Sequence, residues 1–376
     1  LSSFEYTKES NRGGSELTAA DSKNQTKGGL DKDYAFNWSY GKMETFSFII
    51  PNACGGGSST PLQEDSKVSE LLQQTPGISQ DGAQQLFQAA SAYWGGKPNT
   101  AGPVYFGAFI CVLFLMGMIL SKSEHKWWLL GITVLGILLA WGKHFETFNY
   151  FLFDHLPFYN KFRTPEMSLV MTQLAVPLMA VIFLNDLTGI TDKEKLASIG
   201  KKCLIITGSV AAAIAGFYFF ASFKNEATDE LKKSVTNAFQ NNPDFAKSYI
   251  SALIKDRQTV FLSDMWRSLG FILIGIAAVY LYTKNIFKAP VLYIALILCT
   301  TIDLVGVGKR YLTFDNFIEP VEYENSYADY NADILIKRDP GFYRVLNLAF
   351  KNQADGPFQV SVNQSFNDAI ASYKHN

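Results

Sequence analysis

Residues 154–166 read DHLPFYNKFRTPE, and residues 167–184 follow at once as MSLVMTQLAVPLMAVIFL. The second stretch carries no formal charge over 18 residues. A helix rising 1.5 Å per residue needs roughly 20 residues, with a range of about 17–25, to cross the hydrocarbon core of a bilayer. Such a run is fit for lipid. The first stretch, set directly against it, crowds Asp154, His155, Lys161, Arg163 and Glu166 among aromatics and prolines. What that polar corner does depends on which side of a membrane it lies.

Working outward, similar apolar runs fall at 103–120, 127–141, 204–221, 268–282 and 289–307. The runs at 127 and 268 are short and need flanking Trp, Tyr or snorkelling Lys to complete a span. Six such runs in one chain are not explained by soluble cores, so the sequence predicts an all-α polytopic membrane protein of about six transmembrane helices. The averages over 376 residues, a net charge of −1 and a mean hydropathy of +0.05, hide this division between lipid-like and polar segments. A basic excess that would point to nucleic acid is lacking.

If all six runs span, their connections alternate between sides. Residues 122–126, 190–202 and 284–288 hold eight lysines in 23 residues. Residues 143–166 and 223–267 hold ten Lys or Arg in 69. Basic residues are retained on the cytoplasmic side, so the short lysine-rich turns are expected inside. Parity then places 1–102, 143–166, 223–267 and 309–376 outside. Lys309 and Arg310 run against this trend.

The expected organisation has three parts. Residues 1–102 form an extracytoplasmic segment with short helices near 63–74 and 79–94, the first with Val68, Leu71 and Leu72 on one face. Residues 103–308 form the six-span region, with an outer amphipathic helical pair at 225–263. Leu231, Val235 and Phe239 mark its first helix and Phe245, Tyr249 and Leu253 its second, separated at Asn242-Pro243. Such helices lie on a membrane surface or pack across the mouths of spans. Residues 309–376 begin a small outer α/β domain, with strands expected at 342–348 and 358–363.

In the opening stretch, Pro157 and Pro165 prevent one continuous helix, which leaves a bent loop or a short re-entrant element at the interface. Phe158, Tyr159 and Phe162 suit the headgroup layer. Lys161 and Arg163 would meet lipid phosphate there, and a guanidinium binds phosphate bidentately. The other reading is an aromatic-basic anchor with no ligand. Lys42 and Glu44, in SYGKMETFSFIIPN (39–52), place a charged pair in a second aromatic loop, with a structural role as the competing reading. Asp303, late in the last run, is a functional candidate because a carboxylate in lipid costs about 2.5–3.5 kcal/mol on insertion scales. The alternative is an ion pair with Lys309 or Arg310. Asp186, at the far end of the third run, reads as solvated.

NACGGGSST (52–60) resembles a phosphate cradle only in its glycines, because no Lys-Ser/Thr follows, and it reads as a flexible loop. His125, His144, His155 and His375 show no H-x-x-x-H spacing, and no C-x-x-C or G-x-S-x-G occurs. Sequence spacing therefore assigns no metal ligands. Cys111, Cys203 and Cys299 fall within or beside apolar runs, and Cys54 stands alone in a loop, so no disulfide framework is expected.

Taken in order, YTKESNRGGSELT (6–18), GLDKDYAFNWSYGKMETFSFIIPNACGGGSS (29–59), PFYNKFRTP (157–165) and DPGFYRVLNL (339–348) resemble the YfhO family of multi-spanning bacterial membrane proteins, in the form found in Bacteroidetes-type bacteria. The closing SFNDAIASYKHN resembles the start of a longer stretch of that family. The resemblance runs over essentially the whole chain and implies a fragment with both ends continuing. It implies a fold like the C-type glycosyltransferases, which pass a sugar from a polyprenyl-phosphate carrier to an acceptor outside the membrane. Relatives are linked to glycosylation of envelope polymers such as lipoteichoic acid.

The acid proposed as catalytic base in such enzymes lies in the first outer loop, which the resemblance places ahead of Leu1. The catalytic residue is thus unassigned, with Glu44 and Asp154 as weak candidates. For the carrier phosphate the candidates are Lys161 and Arg163, then Arg12 and Lys42. The implied partners are membrane lipids, a lipid-linked sugar donor and an envelope polymer acceptor. The implied place is the bacterial cytoplasmic (inner) membrane. No cofactor is demanded, and a divalent metal is compatible with the chemistry. The rival reading is a non-enzymatic transporter or scaffold for envelope lipids.

Overall fold

Glycine and proline positions decide where the apolar runs become helix. The computed structural model describes residues 29–338 apart from 59, 77, 240, 241 and 327–330. Contacts divide the chain into two units, Leu1–Tyr311 and Leu312–Asn376. Among the described residues the regular structure is helical, with no strand. The strands expected at 342–348 and 358–363 lie outside the described residues. In the second unit two short helices, Pro320–Ser326 and Asn331–Ile336, are described.

In the first unit the polar segment forms α1 (Lys32–Ala35), α2 (Lys67–Gln74) and α3 (Gln80–Ala89). The apolar runs follow as α4 (Ala108–Leu120) and α5 (Lys126–Ala140). Next come α6 (Glu146–His155), α7 (Leu169–Thr188) and α8 (Lys193–Phe220). The chain then forms α9 (Glu226–Ala238), α10 (Pro243–Thr283) and α11 (Ala289–Gly308).

Four helical segments are long and apolar enough to cross a membrane: 165–188, α8, α10 and α11. A fifth crossing arises if α5 is joined to Gly142–His155 across a bend of 110°. The expectation of six straight spans is therefore corrected at two places. Residues 103–107 are not helical, Gly107 takes φ +103°, and α4 keeps only 13 residues. That is about 20 Å of helix against a core of roughly 30 Å. The second run stops at Gly142, whose φ of +43° turns the chain into α6.

The amphipathic pair is corrected too. Asn242 caps a new helix by accepting from Asp244 N and Phe245 N, but no glycine follows until Gly270. The second amphipathic stretch therefore runs unbroken into the fifth apolar run as one 41-residue helix, about 60 Å long. Val235, Tyr249 and Leu253 bury their apolar faces against Val68 and Leu72 of α2 instead of against lipid. This is a separate small core outside the spans.

Within the bundle, small residues let α5 and α7 approach closely. Ser168 Oγ donates to Gly136 O at 2.8 Å and Thr172 Oγ1 to Thr133 O at 3.2 Å. On the opposite side α7 exposes Val170, Leu174 and Val181 at 66%, 73% and 61%. Apolar side chains displayed along a helix of this length are a lipid-facing stripe. The chain is a multi-pass helical membrane protein.

The three lysine-rich turns meet at one end of the bundle. Ser121, before the first turn, donates to Asp186, which is thereby hydrogen-bonded and not merely solvated. Thr188, before the second, bonds Tyr293 Oη at 2.8 Å and accepts from Tyr282 Oη at 3.4 Å on either side of the third. At the opposite end of α7 lies the 154–166 corner.

Candidate functional site

NACGGG is a packed turn, not a loose loop. Gly55 and Gly56 take φ +89° and +79°, and Cys54 O accepts Trp94 N at 2.9 Å. Ser58 N donates to Thr100 O at 2.9 Å. The turn thus holds residues 91–100, which carry Lys97 into the protein. Arg257 of α10 also holds this segment, donating to Ser91 O and Tyr93 O at 3.0–3.1 Å, and ties it to Phe223 O at 2.9 Å.

Lys97 is the centre of the site. Its Nζ lies 2.6 Å from Glu166 Oε1, 3.9 Å from Glu44 Oε1 and 3.1 Å from Thr100 Oγ1, and sits 5.2 Å from the Tyr40 ring centre. The Lys97 and Glu44 side chains are 2% and 4% exposed, while Glu166 is 19% exposed. One ammonium therefore serves two carboxylates, of which only Glu166 opens toward the surface.

Glu44 is fully engaged. Oε2 accepts Gly41 N at 2.7 Å and Gly96 N at 3.1 Å, and Oε1 accepts Tyr93 Oη at 2.8 Å. Gly95 is required beside it, because a Cβ there would lie 2.5 Å from Glu44 Oε1. Burial first, and the Glu44 charge second, push the hydroxyls of Tyr40 and Tyr93 well above the ordinary phenol range. The same two causes raise the Cys54 thiol, which stays protonated and unreactive. His144 rests against Gly96, with its Nε2 buried.

Of the remaining sequence candidates, Lys42, Asp154, Lys161 and Arg163 lie at the same end of the bundle. Lys42 is exposed, with its Nζ 6.0 Å from the ring centres of both Trp141 and Phe145. Arg163 donates to Tyr34 Oη and stacks 5.5 Å over that ring. Asp154 pairs with Lys32 at 2.7 Å. The single turn α1 thus engages both Arg163 and Asp154. Lys161 is half-buried in the turn Tyr159–Lys161. Arg12 lies outside the described residues.

Two expectations change. Asp303 pairs not with Lys309 or Arg310 but with Arg267 of α10 at 2.8 Å, and it also accepts Tyr105 Oη at 2.8 Å and Ala108 N at 3.0 Å. It caps the truncated helix α4, whose first N–H groups would otherwise be unsatisfied. Arg310 instead forms a two-pronged pair with Asp264 at 2.7 and 2.8 Å, and that bond raises its pKa further. Lys97 and Glu166 were not singled out as site residues by sequence. Their only local signal was a lysine behind two glycines in GGKPNT and an acid beside the start of an apolar run.

Among the described residues no group of three or more His, Cys, Asp or Glu is arranged to hold a metal ion. Comparison with protein-family models, with curated proteins and with solved structures returns no match.

Proposed function

We propose that the chain is part of a membrane glycosyltransferase-like protein. It moves a sugar from a polyprenyl-phosphate carrier to a cell-envelope acceptor on the outer face of a bacterial cytoplasmic membrane. The observation that carries this reading is Glu166, a partly exposed carboxylate held at 2.6 Å by buried Lys97. It stands at the end of α7 opposite the lysine-rich turns, the end that also carries Lys42, Lys161 and Arg163.

In this reading Glu166, in place of the acid that the resemblance puts ahead of Leu1, takes the proton of the acceptor hydroxyl while that oxygen bonds to the anomeric carbon. The bond from that carbon to the carrier phosphate breaks, and its electron pair remains on the phosphate. Lys161 and Arg163, with Lys42 near the mouth, stabilise the departing phosphate. Glu44 serves to position Lys97, since its oxygens already accept three hydrogen bonds. Asp154 is held by Lys32. No nucleotide takes part, and a divalent metal on the phosphate is compatible with these steps.

The test is transfer by membranes holding the full-length protein, supplied with labelled polyprenyl-linked sugars. Glu166→Gln abolishes transfer and Arg163→Ala cuts it strongly, both at unchanged abundance. Full transfer by Glu166→Gln removes that residue from the mechanism.

The second reading, a lipid transporter or scaffold, is favoured by the Arg267–Asp303 pair at the break before α4, because interrupted helices with charged partners recur in transporters. Movement of labelled lipid across vesicles without any sugar transfer would select it.

A further inference from the structure

The bundle exposes an apolar surface that does not end where α7 ends. The lipid-facing stripe of Val170, Leu174 and Val181 continues past the helix start into Met167, 72% exposed, and Phe162, 65% exposed. Phe158 and Phe151, at 53% and 59%, extend it along the corner and onto α6. The opposite side of α6 is covered: Asn149 and Phe153 are buried, and Phe153 packs on Phe36 at 5.4 Å. α6 itself runs at 110° to α5, so where α5 crosses the membrane steeply, α6 lies close to the membrane plane.

We propose that the corner from α6 to Met167 is an in-plane membrane element, seated on a phospholipid leaflet with Phe151, Phe158, Phe162 and Met167 immersed. The occupant is lipid because the exposed apolar residues of the corner lead directly in sequence into those of a helix long and apolar enough to span, and the corner is bracketed by α5 and α7. Helices of this kind sit about 5–10 Å into the boundary between headgroups and acyl chains. Two residues of the corner, Phe158 and Thr164, take positive φ of 67° and 61°. Both conformations are unfavourable for L-residues, and they fall at the starts of the two single turns Tyr159–Lys161 and Pro165–Ser168 that shape the corner. The proposal stands independently of whether the protein transfers sugar.

Spin labels on Phe151→Cys, Phe162→Cys and Met167→Cys, in vesicles of phosphatidylethanolamine and phosphatidylglycerol, test it. The four native thiols are buried and leave the introduced one to react. Leu174→Cys reports a lipid-facing span and Ser234→Cys an exposed polar helix. The expected result is oxygen accessibility like that at position 174, with collisions from a water-soluble nickel chelate several-fold lower than at position 234. Nickel accessibility equal to that at 234 overturns the proposal in favour of a surface in water. Loss of both oxygen and nickel accessibility overturns it in favour of a second protein surface.

Discussion

Lys97 donates to Glu166 across 69 residues of sequence at 2.6 Å and lies 3.9 Å from Glu44, so a single buried cation is shared between two carboxylates. Removing one member does not have the same consequence as removing another. Lys97→Met leaves two carboxylates with no cation, of which Glu44 stays buried. Breaking a buried pair in this way costs about 3–5 kcal/mol. Glu166→Gln leaves one cation with one carboxylate, keeps an amide oxygen to accept from Lys97 Nζ, and costs less than Lys97→Met. Thermal unfolding in detergent should rank Lys97→Met far below Glu166→Gln, and equal losses would refute the shared-cation arrangement.

Arg257 donates to three backbone carbonyls, and so positions the loop that carries Tyr93 and Lys97. Arg257→Lys retains a charge but not the fork of donors, and hydrogen bonds from a charged group are each worth about 1.5–3 kcal/mol. The expected outcome is a loss of about 2–4 kcal/mol together with reaction of Cys54 toward a membrane-permeant maleimide. Continued protection of Cys54 would show that the loop does not depend on Arg257.

The Arg267–Asp303 pair gives a coupled prediction. Arg267→Gln leaves an unpaired carboxylate among the spans and costs about 3–5 kcal/mol. The double variant Arg267→Gln with Asp303→Asn restores neutrality while keeping an acceptor for Ala108 N. It should be more stable than Arg267→Gln alone. Additive losses in the double-mutant cycle would mean that the two residues do not act together.

Glycine substitutions separate a strained turn from open helix. Gly55→Ala places a Cβ into the backbone of Ala92 at φ +89° and should prevent folding. Gly131 of α5 has nothing within 4 Å of an added Cβ, and Gly131→Ala should be neutral or slightly stabilising. Expression yield and unfolding temperature check both, and similar behaviour of the two variants would contradict the described turn.

Much of the bundle was legible in the sequence because apolar length is a direct signal of a span. The runs at 167, 204 and 289 became α7, α8 and α11 within a few residues, or as part of a longer helix. The first run failed because composition does not distinguish the non-helical residues 103–107 from helix, and a glycine such as Gly107 accepts positive φ without any sequence signal that it will. The second amphipathic helix and the fifth span merged because hydropathy changes between them while nothing breaks the backbone. The lysine-rich turns do gather at one end, as alternation requires. The site was less legible. Glu44 stood out as a charge in an aromatic loop, but Lys97 acquires its meaning only through tertiary contacts. Asp303 was visible as an unusual acid, and its partner Arg267 lies on another helix.

Transfer on the outer face requires the site end of the bundle to lie outside the cell and the lysine-rich turns inside. Ser234 of α9 and Ser198 of α8 are exposed positions on the two opposite ends. Labelling of Ser234→Cys and Ser198→Cys in intact cells with a membrane-impermeant maleimide decides between the two orientations. Position 234 is expected to react at once and position 198 only after the membrane is permeabilised. Reaction at 198 with protection at 234 would place Glu166 and Lys97 in the cytoplasm and contradict transfer on the outer face.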